Sequence, residues 1–236
     1  MTSTRDKLRA NLTQVRDRIA RAAEISDRPA DDVRLVAVTK QVQPDVAAEL
    51  VELGVSELGE SRPQELWRKA AAIPEARWHL VGHLQRNKVE RTLPLAWLIH
   101  SVDSLRLLQA IRDEATRQGR DLDVLLEFNL SGEQSKHGFR PEDDMDDVGT
   151  LLAESDAVRV VGLMTMAALD TTPEQARPTF AALRELRERL SHKLGIEMPH
   201  LSMGMTNDFE VAIEEGATLV RIGSALFQGL ETRPHD

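Results

Sequence analysis

Leu8, Leu12, Val15 and Ile19 recur at intervals of four, three and four among Arg, Asp and Gln. The chain from Thr4 to Glu24 therefore reads as an amphipathic helix with one apolar stripe. Beyond it the pattern changes to short apolar, β-branched runs, each followed by a polar turn and a longer mixed stretch. The runs are Val33–Thr39, Val55–Glu60, Arg77–Val81, Trp97–Ser101, Asp123–Asn129, Val158–Thr165, His200–Met203 and Leu219–Ile222. Helices are expected to begin near Pro44, Pro63, Gln85, Ser104, Pro141, Pro173 and Asn207, with a last short one after Ser224. Proline suits a first helical turn, where its missing N–H would be unpaired anyway. Gly54, Gly119, Gly195 and Gly216 stand where helices should stop, since glycine enters the left-handed conformation of a helix end without steric cost.

Strict alternation of strand and helix predicts an α/β protein with a parallel sheet. Eight repeats close most simply into a single (β/α)8 barrel, a TIM barrel with one extra N-terminal helix, as one domain over residues 1–236. A doubly wound open sheet is the competing architecture. The acidic stretch Glu142 to Asp147 is read as capping and solvating a helix start, where negative charge meets the positive end of the helix dipole.

Composition narrows the function. The chain has no cysteine, which removes disulfides, thiolate nucleophiles and cysteine metal sites. A formal charge of −9 argues against a general nucleic-acid binder, which needs a basic surface. Met1 to Arg9 lacks the layout of a signal peptide, and no apolar run reaches bilayer-spanning length, so a cytoplasmic protein without a membrane partner is expected.

A barrel puts its chemistry at the carboxyl ends of the strands, with a phosphate cradle favoured after the last two. Lys40 follows the first strand; alone, it would be read as a lysine reaching into solvent. Ser202 and Met203 end the seventh strand, while Arg221, Gly223 and Ser224 end the eighth. Separately these are ordinary turn and cap residues; together, hydroxyls and glycine backbone at that place suit a phosphate monoester. His79 and His83 are four apart but straddle a strand end and Gly82, so no metal site is expected there and partly buried, satisfied histidines are the reading. Gly132 to Gly138 lacks the Gly-Lys-Ser/Thr ending of a nucleotide-binding loop.

Several segments in series resemble one family: Ala37-Val38-Thr39-Lys40, Trp78 to Lys88, Glu133 to Phe139, Gly162-Leu163-Met164-Thr165-Met166, and the two C-terminal strand ends. Along nearly its whole length the chain resembles the pyridoxal phosphate homeostasis protein family, whose barrel is related to that of alanine racemase. The resemblance implies pyridoxal 5'-phosphate held as a Schiff base on Lys40, with Ser202, Gly223 and Ser224 at the phosphate, Arg221 facing the pyridine nitrogen and Met203 among the cofactor-binding residues. Met164 and Met166 are candidates for soft contacts to the ring, or simply core, and a stacking role for His79 is the lesser alternative. Ser61 stands where the family usually carries asparagine, and the extra lysine that some members have just after the Schiff-base lysine is missing. Lys136 is either a receiving amine for the cofactor or a solvated loop lysine.

The implied roles agree with elementary chemistry. A Schiff base needs an amine that can lose its proton, and apolar walls or a nearby cation favour that loss. Arginine stays protonated, so beside the ring nitrogen it donates and makes the ring a poorer electron sink. Racemases of the alanine type use a tyrosine as second base, and this chain has no tyrosine. The expectation is a cofactor carrier without turnover, acting as a monomer, with apo forms of pyridoxal-phosphate enzymes as recipients. A single-base amino-acid enzyme (decarboxylase or racemase-like) and a Schiff-base sugar-phosphate aldolase are the alternatives.

Overall fold

A computed structural model describes residues 3–133, 137–154 and 156–230. Its strands are β1 (Arg34–Val38), β2 (Glu57–Glu60), β3 (Arg77–Leu80), β4 (Leu98–Val102), β5 (Leu122–Glu127), β6 (Val158–Met164), β7 (His200–Ser202) and β8 (Leu219–Ile222). All pairings are parallel, and β8 returns to β1 with Val36 opposite Arg221, closing the barrel. The expected open-sheet alternative is thereby excluded. Between β5 and β6 the register slips by one residue at Gly162, where a Cβ would lie 1.9 Å from the His200 carbonyl oxygen. Only glycine admits that approach.

The helices are α1 (Thr4–Ile25), α2 (Pro44–Glu52), α3 (Pro63–Ala72), α4 (Val89–Thr92), α5 (Leu105–Gln118), α6 (Asp146–Ala153), α7 (Pro173–Leu194) and α8 (Phe209–Glu214). Ser3 caps α1 by accepting from the Asp6 amide, and α1 buries the stripe Leu8, Leu12, Val15 and Ile19. Thr172 and Gln175 form a reciprocal capping box at the start of α7, and Gly119 and Gly195 end α5 and α7 in the left-handed conformation.

Three expected helices come out differently. The segment after Gln85 forms one turn of α-helix between two 3-10 turns, with Pro94 in the second. The helix expected from Pro141 starts at Asp146, because the Asp143 and Asp144 carboxylates take the amides of Arg140 and Asp146 and hold a turn instead. Of the acidic stretch, Asp146 and Asp147 occupy the first turn of α6, and Asp144 and Asp146 pair with Lys193. After Ser224 the described chain runs in turns, not in a helix. The place that helix would take is filled from the other end of the chain: α1 packs against both α8 and α2. Lys7 and Asn11 of α1 donate to the carbonyls of Gly229, Leu226 and Gln228. The extra N-terminal helix thus completes the outer ring.

Alternation along the strands divides the core. Residues facing the helices form the main apolar core, including Ala37, Leu58, Leu80, Ile99, Val220 and Ile222. Inside the barrel, Val36, Leu98, Leu125, Met164 and Leu219 form a small apolar cluster. Val81, Val161 and Met166 pack against it, and the buried polar side chains of His79, His100, Ser202 and Arg221 share the interior.

Candidate functional site

At the carboxyl ends of β1, β7 and β8 lies a cavity of about 320 Å3, walled by Lys40, Thr206, Asn207, Asp208, Gly223 and Ser224 and by residues 167–171. A hollow of about 490 Å3 near Arg16, Arg34 and Glu57 lies at the amino ends, the face where barrels carry stability rather than chemistry. Two loop contacts shape the rim. The Met205 amide donates to Asp208 Oδ1 at 2.6 Å, and the Ala225 amide to Thr206 Oγ1 at 3.4 Å, tying the β7 loop to the β8 loop. Burial raises the Asp208 pKa above the usual carboxylate value. Gly204 turns the chain out of β7 at φ +91°, with a would-be Cβ 2.6 Å from Ala212 Cβ. No other residue fits there.

Lys40 is exposed, and what fixes it lies beneath. Lys69 of α3 is fully buried and donates to the Thr39 carbonyl at 2.6 Å and to Glu60 Oε1 at 2.5 Å. Thr39 Oγ1 donates to the same Glu60 oxygen at 2.7 Å. Burial lowers the Lys69 pKa against the opposing pull of Glu60. The residue preceding Lys40 is thus clamped to both β2 and α3. Nothing in the local sequence marks this clamp, apart from a lysine among the apolar positions of α3.

Below the cavity, Arg221 lies two residues before Gly223 on the same inward face of β8 and is 4 % exposed. It donates to Ser202 Oγ at 2.6 Å and to the Thr165 carbonyl at 2.9 Å. Burial draws its pKa down to about 10, which leaves it charged at neutral pH. Ser202 Oγ also meets His100 Nδ1 at 2.8 Å, and His100 Nε2 meets His79 Nδ1 at 2.9 Å. Burial pushes the His79 pKa to about 3 and that of His100 well below its ordinary value, so both rings are neutral. Glu127, at the end of β5, has its pKa raised to about 7 by burial and by Asp103, with Arg221 and His83 opposing. Asp103 Oδ2 accepts from His83 Nδ1 at 2.8 Å, and the His83 and His137 rings stack with centroids 4.3 Å apart.

The structure therefore brings Lys40, Gly223 and Ser224 together as expected and separates the others. Ser202 is fully buried and does not line the cavity: its hydroxyl is engaged by Arg221 and His100 inside the barrel. Met203 packs in the main core among the helices, because it alternates with the inward Ser202. Met164 belongs to the apolar cluster inside the barrel. His79 is wholly buried rather than partly, and its Nε2 has no hydrogen-bond partner, so it is neither a satisfied core histidine nor at the rim. Ser61 follows directly after β2, where its carbonyl sits against Gly82: a Cβ on Gly82 would come within 2.2 Å. Lys136 lies outside the described residues. Sequence reasoning passed over Lys69, Glu60, His100 and Glu127. The signal for His100 was present in Leu98-Ile99-His100-Ser101-Val102, where alternation places it inward between two apolar neighbours.

Residues 5–231 match the family model described as alanine racemase, N-terminal domain. A pyridoxal phosphate homeostasis protein of Aquifex aeolicus is 41% identical over 218 residues, covering 92% of this chain and 95% of its own. The chain belongs to the pyridoxal phosphate homeostasis protein family. Its Escherichia coli K12 member is 33% identical over 226 residues, covering 92% and 94% of the two chains. Among solved structures, PipY of Synechococcus elongatus with pyridoxal phosphate bound superposes with a TM-score of 0.78 at 31% identity, covering 89% of this chain and 99% of its own.

Proposed function

We propose that this protein holds pyridoxal 5'-phosphate as a Schiff base on Lys40 and serves the homeostasis of that cofactor without turning over a substrate. The observation that carries the reading is one cavity that unites the Lys40 amine, Gly223 and Ser224 directly above a buried arginine. The residues suit the group. The amine answers the aldehyde, Ser224 and Thr206 offer hydroxyls to the phosphate, and Arg221 offers a permanently charged donor to the pyridine nitrogen. The bound cofactor would supply an electron-withdrawing ring, and a donating Arg221 weakens that capacity by keeping the ring nitrogen an acceptor. Family membership and the absence of tyrosine support carriage over racemization, and the PipY complex supports pyridoxal phosphate as the ligand. The site uses the side chains of one barrel, so a monomer suffices, and apo forms of pyridoxal-phosphate enzymes in the cytoplasm are the recipients.

Borohydride reduction followed by peptide mapping tests the attachment. A reduced cofactor adduct on the Lys40 peptide is expected, together with loss of the visible absorption in Lys40→Ala. An adduct on another lysine, or a colourless protein that takes up no added cofactor, defeats the reading. One observation favours the alternative of a single-base enzyme: Glu127, with its pKa near 7, can exchange a proton at neutral pH. Loss of the α-proton from amino acids in deuterated water, abolished by Glu127→Gln, would establish that alternative.

A further inference from the structure

The cofactor reading uses only Arg221 out of a string of buried side chains that crosses the barrel interior from β8 to β2. Arg221, Ser202, His100 and His79 follow one another at 2.6, 2.8 and 2.9 Å. Beyond them, His79 Nε2 faces Glu57 Oε2 at 3.5 Å. The chemistry of the ends fixes the direction of every hydrogen between them. A guanidinium can only donate, so Ser202 Oγ accepts from Arg221. A neutral imidazole carries one donor and one acceptor, and both rings are neutral, held so by burial and by the cations Arg34, Arg77 and Arg221 around them.

At the far end, Glu57 Oε2 and His79 Nε2 are both buried, each without a hydrogen-bond partner among the described residues, and they face each other. The Glu57 carboxylate, also approached by Arg34 at 3.3 Å and Arg77 at 3.8 Å, can only accept. A hydrogen on His79 Nε2 gives both atoms their complement. His79 Nδ1 must then accept from His100 Nε2, and His100 Nδ1 must accept the Ser202 hydroxyl hydrogen. The reverse arrangement would set a ring lone pair against a carboxylate in a buried place, an arrangement with a high electrostatic cost.

We propose that His79 and His100 are positioning residues for Arg221. As Nε2–H tautomers they form a one-way chain that commits Ser202 to accept from the guanidinium and holds Arg221 in one orientation under the cavity. This rests on the reading of Arg221 as the donor to the cofactor ring. It also moves Ser202 from the phosphate to the arginine, since its only hydrogen is directed inward.

Two experiments separate this inference from the cofactor reading. Long-range 1H–15N correlation spectra of cofactor-free, 15N-histidine-labelled protein, assigned with His79→Gln and His100→Gln, should show both rings as Nε2–H tautomers that stay neutral down to about pH 5. Either ring as an Nδ1–H tautomer, or titrating above that pH, overturns the chain whether or not the cofactor binds. In the loaded protein, Ser202→Ala should move the pH midpoint of the visible band and weaken cofactor retention about tenfold, while Ser202→Thr, which keeps the hydroxyl, restores both; tenfold corresponds to about 1.4 kcal/mol. A Ser202→Ala protein with the wild-type midpoint and retention overturns the positioning role.

Discussion

The rim and the interior of this barrel solve different problems with polar residues. At the rim, Lys40 and Ser224 are exposed, and water can serve any group a ligand does not. Away from it, Lys69 and Glu60 between the barrel and α3, and His79, His100, Ser202 and Arg221 inside the barrel, are each at most 4 % exposed, and each must find its partner within the protein. Rim residues can therefore vary at small cost in folding, whereas interior ones hold one another in place. The sharpest way to break this contrast is Lys69→Met. It leaves Glu60 as an uncompensated buried carboxylate, and the expected loss is about 3–5 kcal/mol in urea unfolding. The double change Lys69→Met with Glu60→Gln should recover most of it. A single variant within about 0.5 kcal/mol of wild type would mean that the clamp under Lys40 is no tighter than a surface ion pair.

The same division decides what the sequence could disclose. The eight strands were legible because each is a short β-branched run closed by a turn, a property of neighbours along the chain. Lys40, Gly223 and Ser224 were legible because they sit just past such runs. The interior string was not, because His100 and Ser202 are 102 positions apart and Arg221 and Thr165 are 56 apart. Their meeting is a consequence of closing the sheet, and no local pattern encodes it. Strand alternation could at most have marked His79, His100, Ser202 and Arg221 as facing one interior. The missing eighth helix has a similar cause: α1 closes the ring from the far end of the chain.

Titration separates the two regions by sign. The His79 pKa falls from 6.5 to about 3 on folding, so below pH 6.5 the unfolded chain binds a proton that the folded one refuses. Its stabilising contribution is full above that pH and is lost as pH falls toward 3, about 3 kcal/mol by pH 4. Glu127 does the opposite. Its folded pKa is raised from 4.5 to about 7, so the folded protein holds an extra proton between those values, and stability declines as pH rises through them. Allowing for its place near the mouth, the decline is about 2 kcal/mol. Between pH 4.5 and 6.5 the two slopes oppose each other, with the depressed His100 on the side of His79. Measured as a difference from wild type, His79→Gln should fall in stability as pH rises through this window, and Glu127→Gln should rise. Denaturant unfolding at half-unit pH steps reads both, and parallel curves for the two variants would refute the assignment of opposite signs.

The smallest expected effect belongs to the rim. Ser224→Ala removes one hydroxyl from an exposed position in the cavity wall, and no described side chain relies on that hydroxyl for a hydrogen bond. Folding stability should stay within about 0.5 kcal/mol of wild type. If the hydroxyl donates to a phosphate, its loss costs about 1.5 kcal/mol of binding, the low end for a charged acceptor because water can replace it. Cofactor retention during gel filtration should then weaken by roughly tenfold while the visible band keeps its shape, since the Lys40 linkage and the arginine below are untouched. A change in band shape with unchanged retention would mean that Ser224 acts on the ring rather than on the phosphate. In that case the electronics of the site would be set at the rim as well as from the interior.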